Sequence, residues 1–97
     1  MTRFSVEKLT NDQVKDIRAQ VRQRDRDRCL IHDTLGSEVH EIKQRSSGRK
    51  NSSDVFDIRY MACVCSRCHY DIHHNSKKAE INAKLLKILK VRYAYSY

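Results

Sequence analysis

Two pairs of metal-ligating residue types constrain this chain more than any other feature of its sequence. Each pair has a two-residue gap, Cys29-x-x-His32 first and Cys65-x-x-Cys68 further along. A two-residue gap lets a tight turn direct both ligands at one ion, and four Cys or His ligands form the tetrahedral structural sites of Zn²⁺. The spacing therefore predicts one Cys3His zinc site. Cys63, the remaining thiol, is interpreted as a strand side chain.

The length and composition of the chain explain why a metal would matter. A chain of 97 residues has the length of one domain. A domain of this size buries only about 60–65% of the surface that its unfolded form exposes. The mean hydropathy of -0.77 leaves few apolar residues to enlarge the core. A structural zinc would supply the missing stability, because it contributes on the order of 10–16 kcal/mol of apparent folding free energy in small zinc modules.

The sequence also limits where the chain can work. No apolar run approaches the length of about 18 residues that a membrane span needs. The N-terminal stretch MTRFSVEKLTND lacks the apolar core of a secretory signal. We therefore expect no membrane segment and a cytoplasmic location. A reducing compartment favours metal-bound cysteines over the alternative of two disulfides in a secreted domain.

The charge of the chain predicts a polyanionic partner. Lys and Arg number 20 against 12 Asp and Glu, which gives a formal net charge of +8. Nucleic acid is the partner that we expect from such an excess on a small body. The stretch RSSGRKNSSD is typical of a loop, and its Arg45, Arg49 and Lys50 suit phosphate contact. The alternating charges of Arg24–Arg28 are interpreted as a solvated, self-neutralising face rather than a phosphate clamp.

The spacing of apolar residues predicts a small α+β domain. A capping box at Thr10 starts a first helix, and a second helix follows from Cys65 to His74. Strands are predicted at Glu38–Ile42 and Ile58–Val64. A third helix is expected to begin near Asn75 or Ser76, either of which can cap it. The tyrosines of the tail are expected to pack on the domain or fray rather than to stack on bases; they are Tyr93, Tyr95 and Tyr97.

A second group of candidate ligands consists of histidines. His69 and His73 are four positions apart, so on a helix they share one face. Adjacent helical residues point about 100° apart, so Cys68 and His69 do not easily serve one ion. Two sites on one helix are therefore predicted, one rich in cysteine and one rich in histidine, and His40 on the first strand joins the second. His74 points elsewhere and is expected to be solvated.

Three segments of the chain resemble the HNH endonucleases, in particular the small phage-encoded members. They are DRDRCLIH, EVHEIKQRSSG and CVCSRCHYDIH, all within residues 24–75, and the last two together form a specific combination. The resemblance implies a ββα-metal fold, in which two antiparallel strands and a helix surround one catalytic divalent cation (Mg²⁺, Mn²⁺, Ni²⁺ or Zn²⁺). It implies a zinc-stabilised core at residues 28–75, with a helical extension at 1–27 and a C-terminal helix at 76–97.

The resemblance also implies roles for individual residues. His40 corresponds to the metal ligand of the first strand, and His69 and His73 correspond to the helix ligands. His32 ends the first knuckle where the family usually has Cys, and His also ligates zinc. Tyr60 stands where the family usually has the middle Asn that braces the loop.

The identity of the general base stays open at this point. Glu41 stands where the family usually has its general-base His. A base works best when its pKa lies near the operating pH, and an unperturbed Glu has a pKa of about 4.3. One alternative keeps His40 as a metal ligand and makes Glu41 the base. The other makes His40 the base, with Glu38 assisting the metal or orienting His40.

The implied activity is the hydrolysis of DNA phosphodiesters to leave 5′-phosphate ends. Double-stranded DNA is the expected substrate, with low intrinsic sequence specificity that a phage protein partner could direct. One such site cuts one strand, so we expect a monomer or weak homodimer that nicks DNA, in the host cytoplasm if the chain is phage-encoded. The alternative is a catalytically degenerate HNH-like zinc module that binds nucleic acid or a protein partner.

Overall fold

A computed structural model describes residues 8–35, 38–43, 53, 55–74 and 76–97 of the chain. Over these residues the chain is a small α+β domain with three α-helices and a two-stranded antiparallel sheet, as predicted. The elements in chain order are α1 (Asn11–Asp25), β1 (Glu38–Glu41), a 3₁₀ helix (Ile58–Tyr60), β2 (Met61–Val64), α2 (Ser66–His74) and α3 (Lys78–Tyr93).

The two strands form a middle layer between α1 on one side and α2 with α3 on the other. Val39 lies opposite Cys63, and His40 lies opposite Ala62. All four residues of β2 are buried, because alternate side chains enter different apolar clusters. One cluster contains Val14, Val21, Met61 and Cys63, and the other contains Ala62, Val64, Cys68, Ile72, Ile81, Leu85 and Leu89. Cross-strand partners share a face, so His40 faces α2 and α3, whereas Glu41 belongs to the α1 side.

The second strand begins later than the sequence predicts. The alternating pattern predicts a strand from Ile58, but the chain forms one 3₁₀ turn before β2 starts at Met61. Asp57 causes this change, because its carboxylate accepts a hydrogen bond from the Arg59 backbone N–H at 2.9 Å. The Tyr60 N–H also donates to the Asp57 carbonyl at 2.8 Å. A side chain that caps a turn thus overrides the alternation.

The ends of the helices agree with the sequence in part. The capping box is confirmed, because the Thr10 N–H donates to Gln13 Oε1 at 2.8 Å and the Gln13 N–H donates to Thr10 Oγ1 at 3.1 Å. The helix α1 ends at Arg26, which is left-handed with a φ of 58°. The helix α3 begins at Lys78 without a side-chain cap, so the predicted cap at Ser76 is wrong, and Asn75 lies outside the described residues.

The interpretation of Arg24–Arg28 as a solvated face is wrong for its first two residues. Asp25 is 4% exposed and accepts a bidentate pair from Arg24 at 2.8 and 3.0 Å. The Cys63 backbone N–H and the Tyr93 hydroxyl also donate to this carboxylate, at 3.0 and 2.7 Å. The pair is buried because α1 ends where β2 and the last turn of α3 meet.

The Arg24 guanidinium makes further contacts with the main chain and the tail. It donates to the carbonyl oxygens of Ile58 and Met61, both at 2.7 Å. It also lies over the ring of Tyr93, at 4.8 Å from the centroid. At the end of the tail, the Tyr97 hydroxyl donates to the Arg59 carbonyl at 2.6 Å. The prediction that the tyrosines of the tail pack on the domain is therefore confirmed.

None of the helices in the described ranges combines the length and the apolar character that crossing a membrane requires.

We predict that Asp25→Ala lowers the free energy of unfolding by about 3–5 kcal/mol, since it leaves Arg24 as an unpaired, largely buried charge. Urea denaturation of the zinc-loaded protein measures the change. Asp16→Ala is the matched control, because Asp16 is an exposed carboxylate on the same helix, and it should change stability by less than about 0.5 kcal/mol. Equal effects of the two substitutions would contradict the structural role of Asp25.

Candidate metal centre and histidine cleft

The two predicted knuckles meet in space. One ligand atom each from Cys29, His32, Cys65 and Cys68 lies within 4.8 Å of every other. The Sγ atoms of Cys29 and Cys68 are 3.7 Å apart, and His32 Nδ1 lies 3.1 Å from the Sγ atoms of both Cys65 and Cys68. Tetrahedral zinc places sulfur ligands about 3.8 Å apart and sulfur and nitrogen about 3.5 Å apart, given its bond lengths. The donor set and its dimensions therefore fit one zinc ion.

The first knuckle is a tight turn fixed by backbone hydrogen bonds. The Cys29 N–H donates to the Thr34 carbonyl at 2.9 Å, which closes the turn. Inside it, the His32 N–H points at Cys29 Sγ at 3.3 Å, as expected where a backbone amide stabilises a thiolate. The Leu30 N–H donates to the Cys63 carbonyl at 3.1 Å, so β2 holds the knuckle in place.

The second knuckle lies at the start of α2. Burial alone would raise the pKa of the Cys65 thiol, but hydrogen bonds from the Cys68 backbone and from His32 lower that pKa to about 6. Burial and the neighbouring thiols of Cys29 and Cys65 raise the pKa of Cys68. The cluster thus holds one thiolate readily and resists a second. A divalent cation removes that resistance, because it supplies the positive charge that the three sulfur atoms need.

Cys63 does not belong to the ligand set. Its side chain is fully buried in the cluster against α1, with Val21 among its neighbours. Its Sγ atom lies 3.9 Å from the Val21 carbonyl oxygen. The prediction that Cys63 is a strand side chain is therefore confirmed.

The histidines of α2 form a pair on the face that the sequence predicts. His69 Nε2 and His73 Nε2 are 3.1 Å apart, which is a separation that two nitrogen ligands of one divalent ion can take. The other ring nitrogen of His69 lies 3.3 Å from Glu38 Oε2 on β1. A carboxylate on the second nitrogen of an imidazole is the usual way in which proteins orient a metal-binding His.

His40 lies across a cleft from this pair. Its ring centroid is 6.4 Å from that of His69 and 6.3 Å from that of His73. The cleft has a volume of about 290 Å³ and is lined by Val39, His40, Glu41, Lys43, Val55, His69 and His73. Within the described part of the chain, the Cys3His cluster is the one group of three or more Cys, His, Asp or Glu with all ligand atoms inside 4.8 Å. The described residues thus place the ring of His40 across the cleft from the pair, outside any such group.

The surroundings of His40 favour the neutral imidazole. Burial lowers the pKa of His40, the hydrogen bond with Asn82 opposes this, and electrostatic interactions with His69, His73 and Lys78 lower the pKa further. A neutral imidazole is the form that binds a cation or accepts a proton. Sequence reasoning missed Asn82, whose Oδ1 is 2.8 Å from His40 Nε2, because it lies on α3 outside every motif.

The two glutamates of β1 belong to different surroundings. Glu38 pairs with His69 rather than with His40, so the suggestion that it orients His40 does not fit the observed contacts. Glu41 lies 3.6 Å from Arg18 on α1. The guanidinium of Arg18 also lies over the Phe56 ring, 5.3 Å from its centroid. The carboxylate of Glu41 thus has a partner in α1, even though Glu41 forms part of the rim of the cleft.

Tyr60 contacts the residues that lead into the loop after β1. Its carbonyl accepts a hydrogen bond from the Ile42 N–H at 2.8 Å, and Lys43 Nζ lies 4.0 Å above its ring. These contacts join Tyr60 to the end of β1 and to the two residues that follow it. Arg45, Arg49 and Lys50 lie outside the described residues, so both the predicted loop and its phosphate contacts stay a prediction.

We predict that the purified chain binds one zinc ion and that Cys68→Ala abolishes this binding, because the substitution removes a ligand with 1% exposure. Elemental analysis of the protein gives the stoichiometry, and circular dichroism with and without a chelator gives the stability. Cys63→Ala is the matched control, since it removes a buried thiol outside the cluster and should keep one zinc. Loss of zinc from the Cys63 variant, or its retention by the Cys68 variant, would contradict the ligand assignment.

No protein-family model, no curated protein and no solved structure matches this chain. Its relation to the HNH endonucleases therefore depends on the residues quoted from its own sequence. What the chain does has to be inferred from those residues and from the geometry of the metal cluster and the cleft.

Proposed function

We propose that this chain is a divalent-metal-dependent DNA endonuclease of the HNH type, with a zinc-stabilised ββα-metal core. The observation that carries the proposal is the cleft between β1 and α2. It sets the Nε2 atoms of His69 and His73 3.1 Å apart and places the buried His40 opposite them. The chain order of β1, β2 and α2 around this cleft is the order of strands and helix that the resemblance implies.

The paired histidines are the proposed ligands of the catalytic cation. The Nε2 atoms of the two side chains are 3.1 Å apart, within reach of one cation that takes both as ligands, and Glu38 lies on the Nδ1 side of His69. Imidazole ligands suit Zn²⁺ and Ni²⁺ and are compatible with Mn²⁺, whereas Mg²⁺ depends more on oxygen ligands and water. When bound, the cation neutralises charge on the scissile phosphate and on the leaving 3′ oxygen.

His40 is the proposed general base. It takes a proton from a water molecule, the water oxygen forms a bond with phosphorus, and the bond from phosphorus to the 3′ oxygen breaks. The leaving 3′ oxygen takes a proton from solvent water, so the products are a 5′-phosphate and a 3′-hydroxyl. Burial keeps His40 neutral, as this step requires. Glu41 is less suited, because its carboxylate is 3.6 Å from the Arg18 guanidinium, which favours a structural ion pair over proton transfer.

The substrate is proposed from charge. The formal net charge of +8 favours a polyanion, and Lys43 lines the cleft beside the histidines. Arg45, Arg49 and Lys50 follow Lys43 in the sequence and are the proposed contacts with the phosphates next to the cleavage site. Such contacts position the backbone without reading bases, so nicks of low sequence specificity are expected unless a partner protein directs the chain.

Nicking of supercoiled plasmid with Mg²⁺, Mn²⁺ or Ni²⁺ tests the proposal. We expect His40→Ala to lower the rate about 10²–10⁴-fold, the usual contribution of a general base, and we expect His73→Ala to be similarly impaired. His74→Ala is the matched control, because His74 is the next residue of α2 and its ring stacks beside Tyr70, 4.6 Å away, rather than in the cleft. Nicking by the His40 variant at the wild-type rate would overturn the proposal, as would a wild type inactive with every cation.

A catalytically degenerate zinc module that binds nucleic acid is the second candidate. The observation that favours it is that Glu41 and Tyr60 stand where the family usually has His and Asn. Glu41 is paired with Arg18, and Lys43 covers the ring of Tyr60. Binding without cleavage under any metal would support this candidate.

We predict a steep salt dependence of DNA binding under either candidate. Three phosphate contacts from Arg45, Arg49 and Lys50 would give a loss of affinity of about 40-fold between about 50 and 200 mM salt. The triple substitution of these residues by Ala should flatten the dependence, as fluorescence anisotropy with a labelled duplex can measure. A triple variant with an unchanged salt slope would exclude these residues as phosphate contacts.

A further inference from the structure

We propose that Asn82, on α3, is a positioning residue that fixes the tautomer of His40. The inference depends on the proposed function, in which His40 accepts a proton, and it adds a residue from outside the segment that resembles the HNH family. It also makes α3 a part of the site rather than a flanking helix.

The contact between His40 and Asn82 has the geometry of a hydrogen bond, and burial of His40 and of the neighbours of Asn82 restrains it. His40 is 4% exposed on β1, and its Nε2 atom lies 2.8 Å from Asn82 Oδ1. Asn82 follows Ile81 and precedes Leu85, both of which are buried in the core between the sheet and α3. These buried neighbours therefore fix the backbone position of Asn82 on α3.

The chemistry of the two groups decides where the proton lies. A neutral imidazole has one N–H, and an amide oxygen can only accept a hydrogen bond. His40 therefore donates from Nε2 to Asn82 Oδ1, and the lone pair that can accept a proton or approach a cation is left on Nδ1. Without this acceptor, the proton would divide between both nitrogens and the competent form would be less populated.

A similar contact orients His69 on the opposite side of the cleft. Glu38, on β1, occupies the Nδ1 side of His69 and leaves its Nε2 atom facing His73. Each of these two histidines thus has one nitrogen engaged by a side chain from a different element. That contact sets which nitrogen of each ring is left for another partner, which is how supporting groups usually set the role of a functional His.

The test compares the tautomer of His40 and the nicking rate in wild type and two variants. Asn82→Leu removes the acceptor, whereas Asn82→Asp keeps an oxygen in its place. Long-range ¹H–¹⁵N correlation on the zinc-loaded full chain at about pH 8, where an imidazole is neutral, reports which nitrogen carries the proton. This measurement needs neither DNA nor a second cation. Ala83→Ser is the control, because it changes an exposed neighbour on α3.

We expect a single Nε2–H tautomer in wild type, in Asn82→Asp and in the control. In Asn82→Leu we expect a mixture of tautomers and a loss of nicking of about 10–100-fold, the usual effect of removing such a supporting group. Recovery of nicking in Asn82→Asp would show that nicking needs the hydrogen-bond acceptor at position 82 and not only the packing of a side chain there. If Asn82→Leu does not bind one zinc, Asn82→Ser takes its place, since its hydroxyl is too short to keep the bond.

A single Nε2–H tautomer in the variant without the acceptor would overturn the proposal, and so would an unchanged nicking rate. If the wild type does not nick DNA with any of the cations tested, the proposed function fails. The tautomer measurement still decides whether Asn82 fixes His40, so the two failures are distinguishable.

Discussion

Three sulfur atoms and one imidazole nitrogen within 4.8 Å of one another are the constraint on which the rest of the structure depends. Thiols so close together do not all ionise readily without a cation, so a bound metal ion would tie the turn at Cys29 firmly to the first turn of α2. The helix α2 has nine residues and continues directly from this cluster to His69 and His73. An interaction that fixes the cysteines therefore also sets the direction of the histidine pair. The same short helix carries a cysteine of the metal cluster and the two histidines of the cleft.

Local signals in the sequence predict the parts of the molecule that neighbouring residues determine. The capping box at Thr10, the knuckle spacings and the four-residue step from His69 to His73 each act within one turn of chain, and the structure has all of them. The start of β2 is predicted wrongly for the same reason. A single side chain, Asp57, caps a turn there, and an alternating apolar pattern carries no information about that competition.

Contacts between distant parts of the chain account for what the sequence does not reveal. The pair Arg24–Asp25 has the composition of a solvated charge run, and only the meeting of α1 with β2 and with Tyr93 buries it. Asn82 likewise has no local mark, because its contact with His40 joins α3 to β1 only in the folded chain. Burial and pairing of polar groups depend on tertiary geometry, which periodicity within one element cannot supply.

The docking of α3 has a consequence for the order in which the molecule can be assembled during synthesis. All four ligands of the zinc cluster precede α3 in the chain, whereas the contacts to Asn82 and Tyr93 span 42 and 68 positions back to β1 and α1. Contacts of such long range form late, because the intervening chain must first be made and closed. A growing chain can thus hold its metal before its cleft is complete. The interval between the two events separates a partly folded nascent chain from one whose cleft is complete.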